Sequence, residues 1–420
     1  MAETREPMGD PDGLVVRPAT RSNGYGSRFS FFLAEWAGSL ADLGTFVPIA
    51  FALTRLNGLN PSRAFLAAGL TYLVAGLFFG IPVPVQPLKA VAAIAIAQGL
   101  PAPTIFAAGL EMAVVLLVLA LAGVMGLVGR LFSPAIIRGI QLGVGLMLVR
   151  SALALITGDP FAVGNGAAVG LQGVRHLLWV AMAVVTMTVL LVFKKIGPLA
   201  TPLVVLGVAA VAGLALAPGV LAQPMGMAAA AGRGPSGATD LWLAFYALVI
   251  PQIPLTLGNA VFATSDVARR HFGPAGRRAT PRSLALSMGV ANLVSGLLGG
   301  VPVCHGSAGM TAHYRFGART GLAGVLVGGM FCALALVGGG GALRLLLLIP
   351  LPVLGGFMAL TGIEHAALVR HLQDQREFLV ATCTGALAMV SGNMALGFLA
   401  GLAMEKLFLV ARALEPRMSQ

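Results

Sequence analysis

Residues 76–90 read GLFFGIPVPVQPLKA and residues 296–310 read GLLGGVPVCHGSAGM. Gly76 matches Gly296, Gly80 matches Gly300, Pro82 matches Pro302 and Val83 matches Val303, all at an offset of 220. Each stretch interrupts an apolar run where a membrane helix would otherwise continue. Proline has no amide donor and biases the residue before it toward extended backbone. Paired Gly/Pro interruptions at corresponding places in two apolar halves point to a substrate site built from broken helices near a membrane midplane.

The rest of the chain supplies the membrane. Of 420 residues, 57% are hydrophobic and 10% are charged, whereas about a quarter of an ordinary soluble domain is charged. A bilayer is crossed by about 20 apolar residues. Apolar stretches fall near 31–54, 62–80, 84–98, 103–128, 133–157, 174–193, 198–221, 241–266, 283–300, 304–314, 320–346, 350–369, 377–391 and 393–413. The expected fold class is therefore all-α and polytopic, with fourteen transmembrane segments, of which segments 3 and 10 are broken half-helices. The 56 glycines suit close helix approach in lipid. The net charge of +12 sits in short clusters between spans, the pattern of basic residues retained on the cytoplasmic side, so no nucleic-acid partner is expected. Cys304, Cys332 and Cys383 form no spaced motif, so neither a disulfide, nor a metal, nor another cofactor is indicated.

Counting spans from a cytoplasmic N-terminus places Arg130, Lys194, Lys195, Arg269, Arg270, Arg277, Arg278, Arg282, Arg315, Arg319, Arg370 and Arg376 on inside loops. The outside loops hold Arg55, Arg63, Arg175, Arg233 and Arg344. This excess puts both termini in the cytoplasm. Residues 1–28 are polar and precede an apolar stretch too long for a signal peptide, so they read as a disordered cytoplasmic tail. Asp42-Leu43-Gly44-Thr45 is similar to Thr256-Leu257-Gly258-Asn259, and Pro134 and Gly139 align with Pro350 and Gly355. Segment n thus matches segment n+7. Because seven is odd, the second repeat enters from the opposite side, which makes a 7+7 inverted repeat.

Within the first break, Gln86 is expected to cap a half-helix with Pro87 in its first turn and Lys89 one turn in. That helix should end near Gln98. The second break repeats the plan, with Gly306 and Ser307 opening a helix behind His305. Two facing helix N-termini offer free amides and favourable dipoles to an anion, and Lys89 adds a full charge. Lys89 also has a bland reading, snorkelling to an interface or neutralising a buried carboxylate. For His305 that reading is a core histidine bonded to a carbonyl, and for Cys304 it is packing.

ADLGTFVPI (41–49), IPVPVQPLK (81–89) and CHGSAGMTAHYRFGART (304–320) resemble the signature motifs of the molybdate transporter family related to sulfate permeases. The resemblance covers essentially the whole membrane region. It implies the fold shared with uracil-type permeases, in which segments 1–4 and 8–11 form a substrate-carrying core that moves like an elevator against a gate of segments 5–7 and 12–14. On this chain that means a tail at 1–28, core at 29–128, gate at 129–222, an extracytoplasmic linker at 223–240, core at 241–346, gate at 347–413 and a tail at 414–420. Few residues follow segment 14, so the soluble domain that many sulfate permeases carry there is not expected. Nucleobase permeases place carboxylates where this chain has Gly258, Asn259, Ala308 and Gly309, which favours an anion. The gate face of this fold supports homodimers in related transporters.

The site residues carried over are Gln86 and Lys89 from segment 3, with His305, Gly306, Ser307 and Ala308 from segment 10, acting mainly through backbone amides. Asp42 and Thr45 of segment 1 and Gln252, Thr256 and Asn259 of segment 8 cross beside them. For Thr45, Thr256 and Asn259 interhelical hydrogen bonding is the bland alternative. Glu35, Asp42, Glu111 and Glu364 lie within spans, where a carboxylate is costly unless paired or protonated. They are the candidates for proton coupling, and pairing with Lys89, Arg138 or Arg150 is the alternative. The expected activity is secondary transport of molybdate across a bacterial inner membrane. Sulfate transport on the same fold and an uncoupled anion channel are the alternatives. No catalytic constellation points to an enzyme.

Overall fold

The computed structural model of the chain describes residues 28–40, 43–129, 133–157, 174–196, 201–216, 237–336 and 348–418. Five helical stretches among them, Pro61–Phe79, Ala102–Leu121, Pro134–Thr157, Ala238–Arg278 and Leu351–His371, are long and apolar enough to cross a membrane. The protein is an integral membrane protein.

The first apolar stretch is two helices, α1 (Arg28–Ser39) and α2 (Leu43–Asn57), rather than the single span expected over 31–54. Asp42 lies outside the described residues. Helix α3 (Pro61–Phe79) opens on Asn60, whose side chain accepts from the Arg63 amide, and ends at Gly80 with φ +67°. The chain then runs extended into the two-residue strand β1 (Gln86–Pro87) and the half-helix α4 (Lys89–Gln98). Helices α5 (Ala102–Leu121), α6 (Met125–Gly129), α7 (Pro134–Thr157), α8 (Val174–Ile196) and α9 (Thr201–Leu216) follow.

The second half begins with one long helical segment, α10 (Ala238–Ala244), α11 (Ile250–Leu255) and α12 (Thr264–Phe272). Its three parts are joined by π-helical stretches at Phe245–Val249 and Thr256–Ala263. Helix α13 (Pro281–Leu298) is closed by a Thr280–Ser283 capping box and ends at Gly299 with φ +71°. Strand β2 (Val303–Cys304), half-helix α14 (Ser307–Arg315) and α15 (Leu322–Leu336) come next, then α16 (Leu351–Ala366), α17 (Gln375–Ser391) and α18 (Met394–Met418).

The two breaks meet. β1 and β2 pair antiparallel, with Gln86 opposite Cys304 and Pro87 opposite Val303, and the Leu88 amide donates to the Pro302 carbonyl at 2.9 Å. The half-helices leave this ribbon in opposite directions. The offset between equivalent features is 219 at the left-handed glycines, 217 at the strands and 218 at the helix starts. The matched letters are thus displaced by one to three residues from the matched backbone.

Around the ribbon, α3 packs on α15, α5 on α13, and α7 on α16 and α17. The α3–α15 seam is close because its facing residues are small. A Cβ on Gly328 would lie 2.8 Å from the Gly69 carbonyl oxygen and the Leu73 amide nitrogen. Phe331 of α15 meets Phe46, Phe65 and Tyr72 at centroid separations of 5.0, 4.9 and 5.9 Å, sealing α2 and α3 against it. At the other end of α15, Glu35 of α1 accepts from the Arg319 and Thr320 amides at 2.8 and 2.9 Å, and His313 of α14 bonds the Gly38 carbonyl at 2.6 Å.

Adjacent glycines on α15 offer a paired test of the seam, since a Cβ on Gly329 meets nothing within 4 Å. Gly328→Ala should destabilise by about 1–3 kcal/mol through overpacking. Gly329→Ala should be neutral or stabilising by up to about 1 kcal/mol through helix propensity. Thermal melts of the detergent-solubilised chain compare the two, and equal melting temperatures would remove the close seam.

Candidate functional site: the crossed breaks

The ribbon is unwound backbone in the middle of an apolar protein, so its polar groups need partners. Asn292 of α13, fully buried, supplies two. Its Oδ1 accepts from the Val303 amide at 2.9 Å and its Nδ2 donates to the Val303 carbonyl at 2.7 Å. Ser295 Oγ donates to the Val301 carbonyl at 2.6 Å. His305 is 1% exposed and both of its ring nitrogens are engaged, Nδ1 with the Pro84 carbonyl at 2.8 Å and Nε2 with Ser287 Oγ at 2.9 Å. Its side chain thus takes the place of a core histidine bonded to a carbonyl, the alternative that the sequence offers for it. His305 ties the first break to α13 and presents no unengaged ring nitrogen to a ligand.

The half-helix starts also depart from expectation. Helix α4 begins at Lys89 after an N-cap position at Leu88 that provides no side-chain cap. Gln86 is therefore a strand residue, not the cap, and Lys89 occupies the first helical position. The cap comes from far along the chain. Gln252 of α11 places Oε1 2.9 Å from the Ala90 amide and 3.2 Å from the Val91 amide, while its Nε2 donates to Thr256 Oγ1 at 3.0 Å. At the opposite end of α4, Asn57 Nδ2 donates to the Ala95 and Leu100 carbonyls, both at 2.8 Å. Side chains thus hold both ends of α4.

Helix α14 is different. Gly306, which has no side chain to offer, is its N-cap residue, and among the described residues no side chain accepts from its first amides. Ser307 Oγ donates to Asn259 Oδ1 at 2.7 Å, and Thr264 Oγ1 donates to the His305 and Asn259 carbonyls at 3.2 and 3.0 Å. Ser307 is partly accessible and Ala308 is exposed, so this terminus opens to the surface. Gly306 lies close against the Gln86 carboxamide, and a Cβ there would come 2.6 Å from Gln86 Oε1, so the Gln86 side chain would have to shift. The α10–α12 segment therefore serves both half-helices, α4 through Gln252 and α14 through Asn259. These residues are seven apart, about 10 Å along a helix axis. π-Helical turns between α-helical stretches recur at functional sites.

Of the other expected site residues, Thr45 lies partly buried in the first turn of α2, the helix packed on β1 and α4, and Thr256 is buried against Gln252. Lys89 is partly buried, makes no ion pair with a described residue, and lies within electrostatic reach of His365 on α16. His365, Asn292 and Ser287 were not singled out by the sequence reading. Their only signal was a polar letter inside an apolar stretch. Among the acidic candidates, Glu35 is spoken for by two backbone amides. Glu111 on α5 is half-buried, and its Oε2 has no hydrogen-bond partner among the described residues. Glu364 is exposed on α16.

A family model described as "Molybdate transporter of MFS superfamily" matches residues 34–148 and 244–364, so each matched stretch contains one break. Molybdate transporter 2 of Arabidopsis thaliana is 29% identical over 403 residues, which cover 87% of this chain and 85% of that protein. Molybdate transporter 1 of Chlamydomonas reinhardtii is 31% identical over 467 residues, covering 88% and 90%. Among solved structures, the transmembrane domain of the cyanobacterial bicarbonate transporter BicA aligns with a TM-score of 0.61 at 19% identity, over 90% of this chain and 98% of that one. The anion transporter Slc26a9 from mouse, in its inward-facing state, aligns with a TM-score of 0.62 at 17% identity, over 94% and 70%. The folds are similar.

Asn292→Leu keeps the side chain's size and strips both partners from Val303. Each buried group left unsatisfied costs about 1–3 kcal/mol, so a loss of at least about 2 kcal/mol in stability is expected. A melting temperature equal to that of the unsubstituted chain would show that the clamp is dispensable.

Proposed function

The chain belongs to the molybdate transporter family, and from that premise we propose that it is a secondary transporter that carries molybdate on a moving core. It is a transporter and not an enzyme. The observation that carries the substrate reading is the α14 N-terminus, uncapped and accessible at Ser307 and Ala308, on the same ribbon from which α4 leaves with Lys89 as its first residue. Amides at a helix start and a nearby ammonium suit a tetrahedral dianion. We assign Gln86, Thr45, Thr256 and Asn259 to the walls around it.

The packing supports the 7+7 inverted repeat. Under a shift of seven segments, the pair α3–α15 exchanges with α13–α5, while α7–α16 and β1–β2 map onto themselves. All four contacts are present. In this reading fourteen segments divide into a core of segments 1–4 and 8–11 and a gate of segments 5–7 and 12–14. Lys89 of the core and His365 of the gate then lie within electrostatic reach of each other across the boundary that elevator motion would shear. We assign both termini to the cytoplasmic side, on the charge pattern of the loops, and keep a bacterial inner membrane as the compartment proposed.

Moving a dianion into a negative interior costs about 2.3 kcal/mol per charge at 100 mV, so uptake needs a driving ion. Among the described acidic residues Glu111 fits a proton carrier best, because Glu35 is committed to the Arg319–Thr320 turn and Glu364 sits at the exposed surface; Asp42, the fourth candidate, lies outside the described residues. Sulfate shares the charge and shape of molybdate and is the competing substrate.

Proteoliposomes loaded with the full chain should take up labelled molybdate, faster with an inward proton gradient. Equimolar sulfate that abolishes uptake would reassign the substrate. Lys89→Ala should weaken binding by about ten- to hundredfold, the weight of one charge-assisted hydrogen bond. Unchanged affinity would sink the anion site. Glu111→Gln should retain molybdate exchange at equal pH and lose acceleration by the gradient, and an intact gradient response would take Glu111 out of coupling.

A further inference from the structure

Gln252 satisfies two amides at the start of α4, the same amides that an oxyanion would use. We propose, building on the molybdate-site reading above, that Gln252 is a displaceable cap, whose carboxamide oxygen holds the α4 amides until an oxygen of the tetrahedral oxyanion takes them over. The assignment of its oxygen and nitrogen follows from its partners. Backbone N–H groups at Ala90 and Val91 can only meet an acceptor, and the Thr256 hydroxyl takes the carboxamide donor. The cap is neutral and so forms ordinary hydrogen bonds. An oxyanion oxygen forms charge-assisted bonds about twice as strong, so exchange runs toward the anion. A carboxylate at this position would hold the amides as strongly as the substrate does and would repel a dianion.

The surroundings of Gln252 favour such an exchange. It lies between the two π-helical stretches, with Pro251 and Pro254 on either side of it. Proline removes intrahelical hydrogen bonds, and π-helical turns shift the phase of a helix, so this part of the segment is held less tightly than a regular helix. Once displaced, the carboxamide leaves the Ala90 and Val91 amides to the anion, with Lys89 at the helix start and the open α14 terminus across the ribbon. The cap thus adds a selectivity step, because a ligand too weakly charged to outcompete a neutral amide leaves α4 closed.

The test is calorimetric titration of sodium molybdate into the purified full chain and two variants, over pH 5 to 8. Gln252→Met, which keeps length and burial but caps nothing, should bind molybdate as tightly as the unsubstituted chain or up to about fivefold tighter, the weight of one ordinary hydrogen bond. Gln252→Glu should bind at least about a hundredfold more weakly at pH 8 and recover toward pH 5 as its carboxyl group is protonated, a pH step absent from the unsubstituted chain. Melting temperatures establish that each variant is folded. If folded Gln252→Met binds more than tenfold more weakly, or Gln252→Glu shows no pH step, the displaceable cap is overturned while the molybdate reading stands. If the unsubstituted chain itself fails to bind molybdate, the reading beneath the proposal falls with it.

Discussion

Everything in this structure depends on one constraint: backbone that leaves helical geometry inside a bilayer must find other partners for its polar groups. The two breaks meet it by pairing with each other, Gln86 with Cys304 and Pro87 with Val303. Prolines lighten the demand. Pro82, Pro84, Pro87 and Pro302 carry no amide hydrogen, so four donors that would need acceptors are not there. The remaining groups are met by a short list of buried side chains, with Asn292 on Val303, Ser295 on Val301 and His305 on Pro84. These polar contacts fix how the ribbon sits against α13, and hence where the half-helices point.

Because the ribbon is antiparallel, it sends its two half-helices apart while keeping both starting points beside it. The two starts are then treated unequally. α4 is held at both ends, by Gln252 and Asn57, whereas α14 carries no side-chain cap. One segment, α10–α12, reaches both starts, Gln252 from between its two π-helical stretches and Asn259 from within the second. A near-symmetric backbone therefore carries an asymmetric site, charged and capped on one side and open on the other.

Much of this was legible in the chain. The Gly/Pro breaks, the extent of α4 to Gln98 and the opening of α14 after Gly306 all follow from local chemistry: missing donors, left-handed glycines and too few apolar residues to span. The errors fell where a partner is remote. Gln86 looks like a cap because capping is usually local, yet the side chain that holds the first α4 amides is 162 residues from Ala90. For His305 two readings stood open in the sequence, and its two ring nitrogens are engaged by Pro84 and Ser287, the pattern of a core histidine. Glu35, a buried acid in an apolar stretch, turns out to hold the turn before α15.

Composition and local pattern suffice to read a membrane protein, the places where its helices must break, and the correspondence of two breaks. Apolar length and the covalent limits of proline and glycine act within a few residues, so no distant contact can undo them. Only the tertiary structure decided which polar side chain meets which backbone group, and therefore that Gln252 covers one half-helix, that α14 stays uncapped, and that Lys89 stands at the very start of α4. Those pairings depend on helices hundreds of residues apart packing to within hydrogen-bond distance, and no local pattern encodes that distance.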